Sequence, residues 1–207
     1  MASNPKILII IDVQNDFCPG GSLAVNEGDA VIPVINSLSG RFDRVAATQD
    51  WHPKNQISFA SNHPGKKPFE QIQVESGTQT LWPDHCIQGT PGAQFHSSLD
   101  TTFIDLIVRK GTSPDVDSYS AFLENDRKTK TGLDGYLTSL APEEVFLCGL
   151  ATDYCVYYSA MDSVKFGFRT AVIIDACRGI DMPAGTVEKA VSDMKSAGIR
   201  IITSGGL

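Results

Sequence analysis

Cys155 closes the run Val145-Phe-Leu-Cys-Gly-Leu-Ala-Thr-Asp-Tyr-Cys155. An apolar strand pattern there meets a short turn, and a helical pattern opens directly after it. A thiol in the first turn of a helix meets free N–H groups and the positive end of the helix dipole, which favour a thiolate. Two other apolar runs end in the partners such a thiol needs: Lys6–Ile11 ends at Asp12, and Ile104–Val108 ends at Arg109 and Lys110. An acid, a lysine and a cysteine, each at a strand end, read as a nucleophile with its base and a charge stabiliser. Ligands of open α/β sheets bind beyond the carboxyl ends of the strands, where all three would sit.

A second group has the composition of a metal site. Asp50 and His52 are two residues apart at the end of the second strand, and residues so spaced in an extended segment share a side. His85 lies in the turn-rich segment Trp82-Pro-Asp-His85-Cys86. One carboxylate and two imidazoles suit Zn²⁺, Fe²⁺ or Mn²⁺ and leave positions open for water and substrate. His63 and Asp84 are extra candidates. Among the other cysteines, Cys177 is the alternative nucleophile, Cys148 reads as core, Cys86 as structural and Cys18 as a loop residue.

The elements that must position these groups alternate along the chain. Six apolar runs read as strands: Lys6–Ile11, Asp43–Thr48, Phe103–Val108, Glu144–Leu150, Thr170–Asp175 and Ile199–Thr203. Near-continuous apolar runs are the mark of parallel strands buried on both faces. Amphipathic patterns over Ala30–Leu38, Leu133–Leu140, Thr152–Phe166 and Thr186–Ala197 predict helices between most of them. The expected fold is a three-layer α/β/α domain, with a mainly parallel six-stranded sheet and helices on both faces. It occupies residues 1–207 as one domain, with a loop-rich segment at about 51–100 that covers the strand ends and carries the metal ligands.

Composition narrows the function classes. A net charge of −7 with no basic stripe argues against nucleic acid as a partner. No apolar run approaches transmembrane length, and no secretory leader pattern opens the chain. Five cysteines without C-x-x-C spacing predict free thiols and a cytoplasmic, reducing compartment.

The motifs Asp12-Val-Gln-Asn-Asp-Phe17, Asp50-Trp-His52-Pro, Trp82-Pro-Asp-His85-Cys, Lys110-Gly and Gly149-Leu-Ala-Thr-Asp-Tyr-Cys155 occur in that order. The chain thereby resembles the nicotinamidase/pyrazinamidase family of isochorismatase-like cysteine hydrolases, from about Ile7 to Ile202. The resemblance implies hydrolysis of nicotinamide to nicotinate and ammonia in NAD salvage, and of pyrazinamide to pyrazinoate, through a Cys155 thioester. It implies that Asp12 takes the Cys155 proton and later passes it to the leaving ammonia, while Lys110 holds the Asp12 charge. It places the oxyanion hole at the backbone N–H groups of Ala151 and Cys155, behind a cis peptide between Leu150 and Ala151. Phe17 and Trp82 would sandwich the ring, with Leu23 and Tyr119 at the pocket edge and Ala151 against the substrate. Asp50, His52 and His85 would hold one divalent ion per subunit, Zn²⁺ in first place with Fe or Mn as alternatives, that meets the ring nitrogen. Where many relatives carry a histidine after Asp-Trp-His-Pro-x-x, this chain has Gln56, which is left out of the ligand set. The resemblance implies no membrane partner and leaves homo-oligomer formation open. Three other readings stand beside it: a cysteine hydrolase of another small amide or carbamoyl compound, a non-catalytic binding protein on the same fold, and a vinyl-ether hydrolase.

Overall fold

A computed structural model describes residues 4–38 and 40–207. Its centre is a six-stranded, wholly parallel sheet of β1 (Lys6–Ile11), β2 (Arg44–Asp50), β5 (Leu106–Lys110), β6 (Glu144–Leu150), β7 (Thr170–Arg178) and β8 (Arg200–Ile202), in the order β5-β2-β1-β6-β7-β8. The two central strands, Lys-Ile-Leu-Ile-Ile-Ile and Glu-Val-Phe-Leu-Cys-Gly-Leu, are buried almost throughout, which is why they read as continuous apolar runs.

Four helices connect the strands: α1 (Val31–Ser37), α2 (Leu133–Leu140), α3 (Tyr157–Lys165) and α4 (Thr186–Ser196). α1 packs on β6 and β7, α3 on β7 and α4, and α4 on β8. From β1 the chain winds toward β2 and β5, and from β6 it winds the other way toward β7 and β8. Right-handed crossovers running in opposite directions put α1 on one face and α3 and α4 on the other. The strand order therefore reverses between β1 and β6, and the crevice beyond their carboxyl ends is the place where such sheets bind ligands.

The structure moves several boundaries, among them β2, which spans Arg44–Asp50 instead of the expected Asp43–Thr48. β5 lies two to three residues later than the expected Phe103–Val108, so Lys110 is its last residue. On this edge strand Ile107 and Arg109 point outward while the charged Lys110 is buried, so the apolar run stops before the strand does. β7 continues to Arg178, so Cys177 lies inside a strand. The segment at 51–100, read as lacking regular structure, contains an antiparallel hairpin of β3 (Gln71–Val74) and β4 (Gly77–Thr80). No helix among the described residues is long and apolar enough to cross a membrane.

Candidate active site

Four strand ends deliver the reactive side chains. β1 and β6 run side by side with Ile11 opposite Gly149. Gly149 has φ 113°, and a Cβ there would strike the Ile11 backbone, so this close approach requires glycine. Asp12 follows directly, buried and at φ 48°. Beyond β6 the Leu150–Ala151 peptide is cis. Thr152–Val156 then form a π-helical turn, with the Tyr154 and Val156 N–H groups both donating to the Ala151 carbonyl at 3.1 Å. Cys155 sits in this turn and not in a regular α-helical first turn; the α-helix begins only at Tyr157. Single π turns recur at functional sites.

Asp50 and Lys110 are register partners at the ends of β2 and β5. The Lys110 ammonium, fully buried, bonds to Asp50 Oδ1 and lies 2.9 Å from Asp12 Oδ2, 3.5 Å from Cys155 Sγ and 3.2 Å from the Ser118 carbonyl. Thr48, two residues before Asp50, donates its hydroxyl to Asp12 Oδ1 at 2.6 Å. Gln14 clamps the Asp50 backbone, accepting from its N–H and donating to its C=O, both at 2.8 Å. Asp12, Asp50 and Cys155 converge closely enough to hold a cation, and the lysine ammonium is that cation.

The surroundings set the proton affinities. Burial disfavours charge on Lys110, but Asp12 and Asp50 outweigh it and hold the ammonium well above its ordinary range. Burial acts likewise on Asp50, and there Lys110 and His52 win, keeping the carboxyl below its usual range. At Asp12 burial prevails over Lys110, with Asp50 adding to it, so this carboxyl is pushed up. Burial also pushes the Cys155 thiol well up; Lys110 opposes and Asp12 reinforces. This works against the thiolate expected from a helix start, because burial favours the uncharged thiol. Its turn is buried, and two nearby carboxylates offset the lysine.

Asp50 also faces His52 and His85. Its Oδ2 is 3.5 Å from His52 Nε2 and 3.9 Å from His85 Nε2. His52 Nδ1 donates to the Gly111 carbonyl at 2.9 Å, and His85 Nδ1 donates to the Pro83 carbonyl at 2.8 Å. Carbonyls only accept, so both rings carry a proton on Nδ1, and in their neutral form they aim the Nε2 lone pair at Asp50. His52 Nε2 is buried without a hydrogen-bond partner. Such an orphaned acceptor is costly unless something satisfies it. Two Nε2 atoms and a carboxylate oxygen at this spacing fit one divalent ion bound at about 2.0–2.2 Å. Burial, then His52, lowers the proton affinity of His85, which favours the neutral form a ligand must have. Burial opposes charge on His52, but Asp50 raises its proton affinity, and the same field attracts a metal cation.

The mouth of this crevice is lined by Phe17, Leu23, Trp82, Tyr119 and Ala151, together with Asp50, His85 and Cys155. Trp82 Nε1 donates to the Tyr119 hydroxyl at 3.1 Å, and the Phe17 ring lies 5.5 Å from that of His85. The crevice thus brings Asp12, Lys110 and Cys155, the Asp50, His52 and His85 group, and the pocket residues Phe17, Leu23, Trp82, Tyr119 and Ala151 into one place. Asp117, Ser118, Tyr154 and Ile180 also line it and were not anticipated. Asp117 Oδ1 is 3.9 Å from His52 Nε2, and only the path of the loop after β5 puts it there. Tyr154 had a signal, as the neighbour of Cys155, and Gln14 and Thr48 lie two residues from Asp12 and Asp50.

The weaker candidates lie elsewhere. His63 Nε2 is engaged by the Ile57 carbonyl at 2.7 Å, and Asp84 accepts from Ser61. Gln56 is buried, with Nε2 donating to the Val116 carbonyl at 3.1 Å. Cys177 contacts the Ile173 carbonyl, and burial pushes its thiol to about 12. Burial pushes Cys18 to about 11. All five cysteines are free.

Comparison with known proteins identifies relatives that share this fold. The family model described as the isochorismatase domain matches residues 6–205. A nicotinamidase of Acinetobacter baylyi is 51% identical over 202 residues, covering 98% of this chain and 94% of that protein. The solved structure of a nicotinamidase/pyrazinamidase from Acinetobacter baumanii superposes with a TM-score of 0.96 at 51% identity, covering 100% of this chain and 99% of that one. The pyrazinamidase of Pyrococcus horikoshii, solved in complex with zinc, superposes with a TM-score of 0.77 at 36% identity, covering 96% and 98% of the two chains.

Proposed function

The chain belongs to the nicotinamidase/pyrazinamidase family of isochorismatase-like hydrolases, and from that premise we propose that it hydrolyses nicotinamide to nicotinate and ammonia. The observation that carries this reading is a thiol, a buried carboxylate and a buried ammonium meeting beside a second group of one carboxylate and two imidazoles.

An unstrained amide needs a strong nucleophile, an oxyanion site and a proton for the leaving nitrogen. Cys155 Sγ attacks the carboxamide carbon while Asp12 takes the thiol proton. Lys110 opposes burial by favouring the charged form of Asp12, and lies close enough to Cys155 to steady the developing thiolate. The backbone N–H groups of Ala151 and Cys155 receive the oxyanion. Asp12 returns its proton to the amide nitrogen, the C–N bond breaks, and ammonia leaves a thioester on Cys155. Water adds to the thioester with Asp12 again taking a proton; the C–S bond breaks, the thiol is restored, and nicotinate leaves. Phe17 and Trp82 hold the ring, with Leu23 and Tyr119 at its edge.

Asp50, His52 and His85 would hold one divalent ion, Zn²⁺ in first place, given the zinc bound by the Pyrococcus relative. Such an ion supplies a Lewis-acid anchor for the ring nitrogen, which turns the carboxamide toward the thiol. Pyrazinamide keeps that nitrogen and is a second substrate. The product feeds pyridine nucleotide salvage in the cytoplasm.

The test is ammonia release from nicotinamide before and after metal stripping, with benzamide as the control lacking the ring nitrogen. Metal-dependent turnover of nicotinamide and little of benzamide is expected. No turnover after Zn²⁺, Fe²⁺ or Mn²⁺ is restored would overturn the substrate assignment.

A further inference from the structure

One buried carboxylate has no part in the chemistry above. Glu124 lies between β5 and α2, 7% exposed, at the head of a turn where its N–H donates to the Thr129 carbonyl and its own carbonyl accepts from Arg127, both at 2.9 Å. Those contacts satisfy its backbone and leave its side chain to turn inward. There the Gly111 N–H points between its two oxygens, at 3.3 and 3.2 Å. Burial pushes its carboxyl up, while the Ser118 hydroxyl, Lys110 and the Gly111 N–H pull the other way.

Gly111 is the hinge between the two halves of the site. It directly follows Lys110, has φ 64°, and faces His52 so closely that a Cβ would strike the imidazole. Its carbonyl is the acceptor for His52 Nδ1. Glycine has no preference of its own for this conformation, so something outside must hold it. The Lys110–Gly111 peptide is gripped at both ends: its carbonyl accepts from Trp51 N–H at 2.9 Å, and its N–H donates to Glu124. Ser118, against the same carboxylate, presents its carbonyl to the Lys110 ammonium at 3.2 Å.

We infer that Glu124 is a positioning residue that locks Gly111, and through the Gly111 carbonyl fixes the tautomer of His52 and the aim of its Nε2. This rests on the reading of Asp50, His52 and His85 as a metal site. Groups that orient a metal-bound histidine through its other nitrogen typically govern affinity by 10–100-fold.

The test compares Zn²⁺ dissociation constants by chelator competition for the parent, Glu124→Ala, Glu124→Leu and Glu124→Gln, each well below its unfolding temperature. Imidazole ¹⁵N spectra of the metal-free proteins, at a pH where His52 is neutral, report its tautomer. Glu124→Ala and Glu124→Leu are expected to weaken Zn²⁺ binding about 10–100-fold and to erode the Nδ1–H tautomer. Glu124→Gln, whose amide oxygen can still accept from Gly111, recovers most of both. A folded Ala or Leu variant that binds Zn²⁺ within twofold of the parent, with an unchanged tautomer, overturns the inference; Leu keeps the volume where Ala fails to fold. A His52 that is Nε2–H in the parent overturns it without any variant. A parent that binds no Zn²⁺ instead overturns the metal reading, and the tautomer comparison still judges Glu124.

Discussion

Replacing Lys110 with Met in the metal-stripped protein leaves Asp12 and Asp50 facing each other, buried, with no cation between them. At 2.9 Å and an effective dielectric constant of about 20, the Lys110–Asp12 attraction alone is on the order of 6 kcal/mol. Dehydrating the ammonium consumes part of that. Removing one partner of a buried pair typically costs about 3–5 kcal/mol. In a domain of this size that lowers the unfolding temperature by roughly 6–20 °C. The sign of the pH dependence follows from the carboxylates. Asp50 has its folded pKa held down, so it contributes stability above its unfolded value, and that stability is lost as pH falls. Without Lys110 this contribution shrinks to what His52 and His85 supply. Asp12, already pushed up by burial, is pushed up further, so its charged form costs more as pH rises. Both effects make the Lys110→Met penalty largest at neutral pH and smaller below about pH 4. Urea unfolding of parent and variant at the two pH values measures it. A difference under about 1 kcal/mol at pH 7 in the folded variant, or one that does not shrink on acidification, would refute the buried-cation reasoning.

Two further outcomes follow from the same geometry. Because burial pushes the Asp12 carboxyl up, its proton-accepting form is lost at a higher pH than for an ordinary carboxylate. The acid limb of kcat/KM for nicotinamide should therefore lie above about pH 4, and a profile flat down to that pH contradicts the role of Asp12 as base. Gly149→Ala forces a Cβ onto the Ile11 backbone at φ 113° and should destabilise the fold by more than about 2 kcal/mol. An unfolding free energy within about 0.5 kcal/mol of the parent would show that β1 and β6 can separate at this point.

Much of this architecture is written in local pattern. Lys6–Ile11 and Glu144–Leu150 are strands over the residues their apolar runs predict, because a parallel strand covered on both faces has no exposed position to interrupt the run. α2 likewise spans the predicted Leu133–Leu140. Pattern weakens where burial is one-sided. β5 is an edge strand whose outward Ile107 and Arg109 blur its limits, and the β3–β4 hairpin is built from Gln, Thr and Gly with little apolar content. The types and spacings around Asp12, Asp50-Trp-His52, His85, Lys110 and Cys155 named the chemistry, because thiols, imidazoles and carboxylates carry their reactivity wherever they lie.

Strand order decided the rest. Placing β1 between β2 and β6, with β5 beside β2, brings Asp12, Asp50 and Cys155 within reach of the Lys110 ammonium. Nothing in the spacing of these residues says that Lys110 also grips Asp50, that Glu124 reaches Gly111, or that Asp117 stands beside His52. Nor could spacing tell that burial pushes the Cys155 thiol up. Proton affinity is set by burial and by the charges a few ångströms away, and those neighbours come from distant parts of the chain that meet only in the folded molecule.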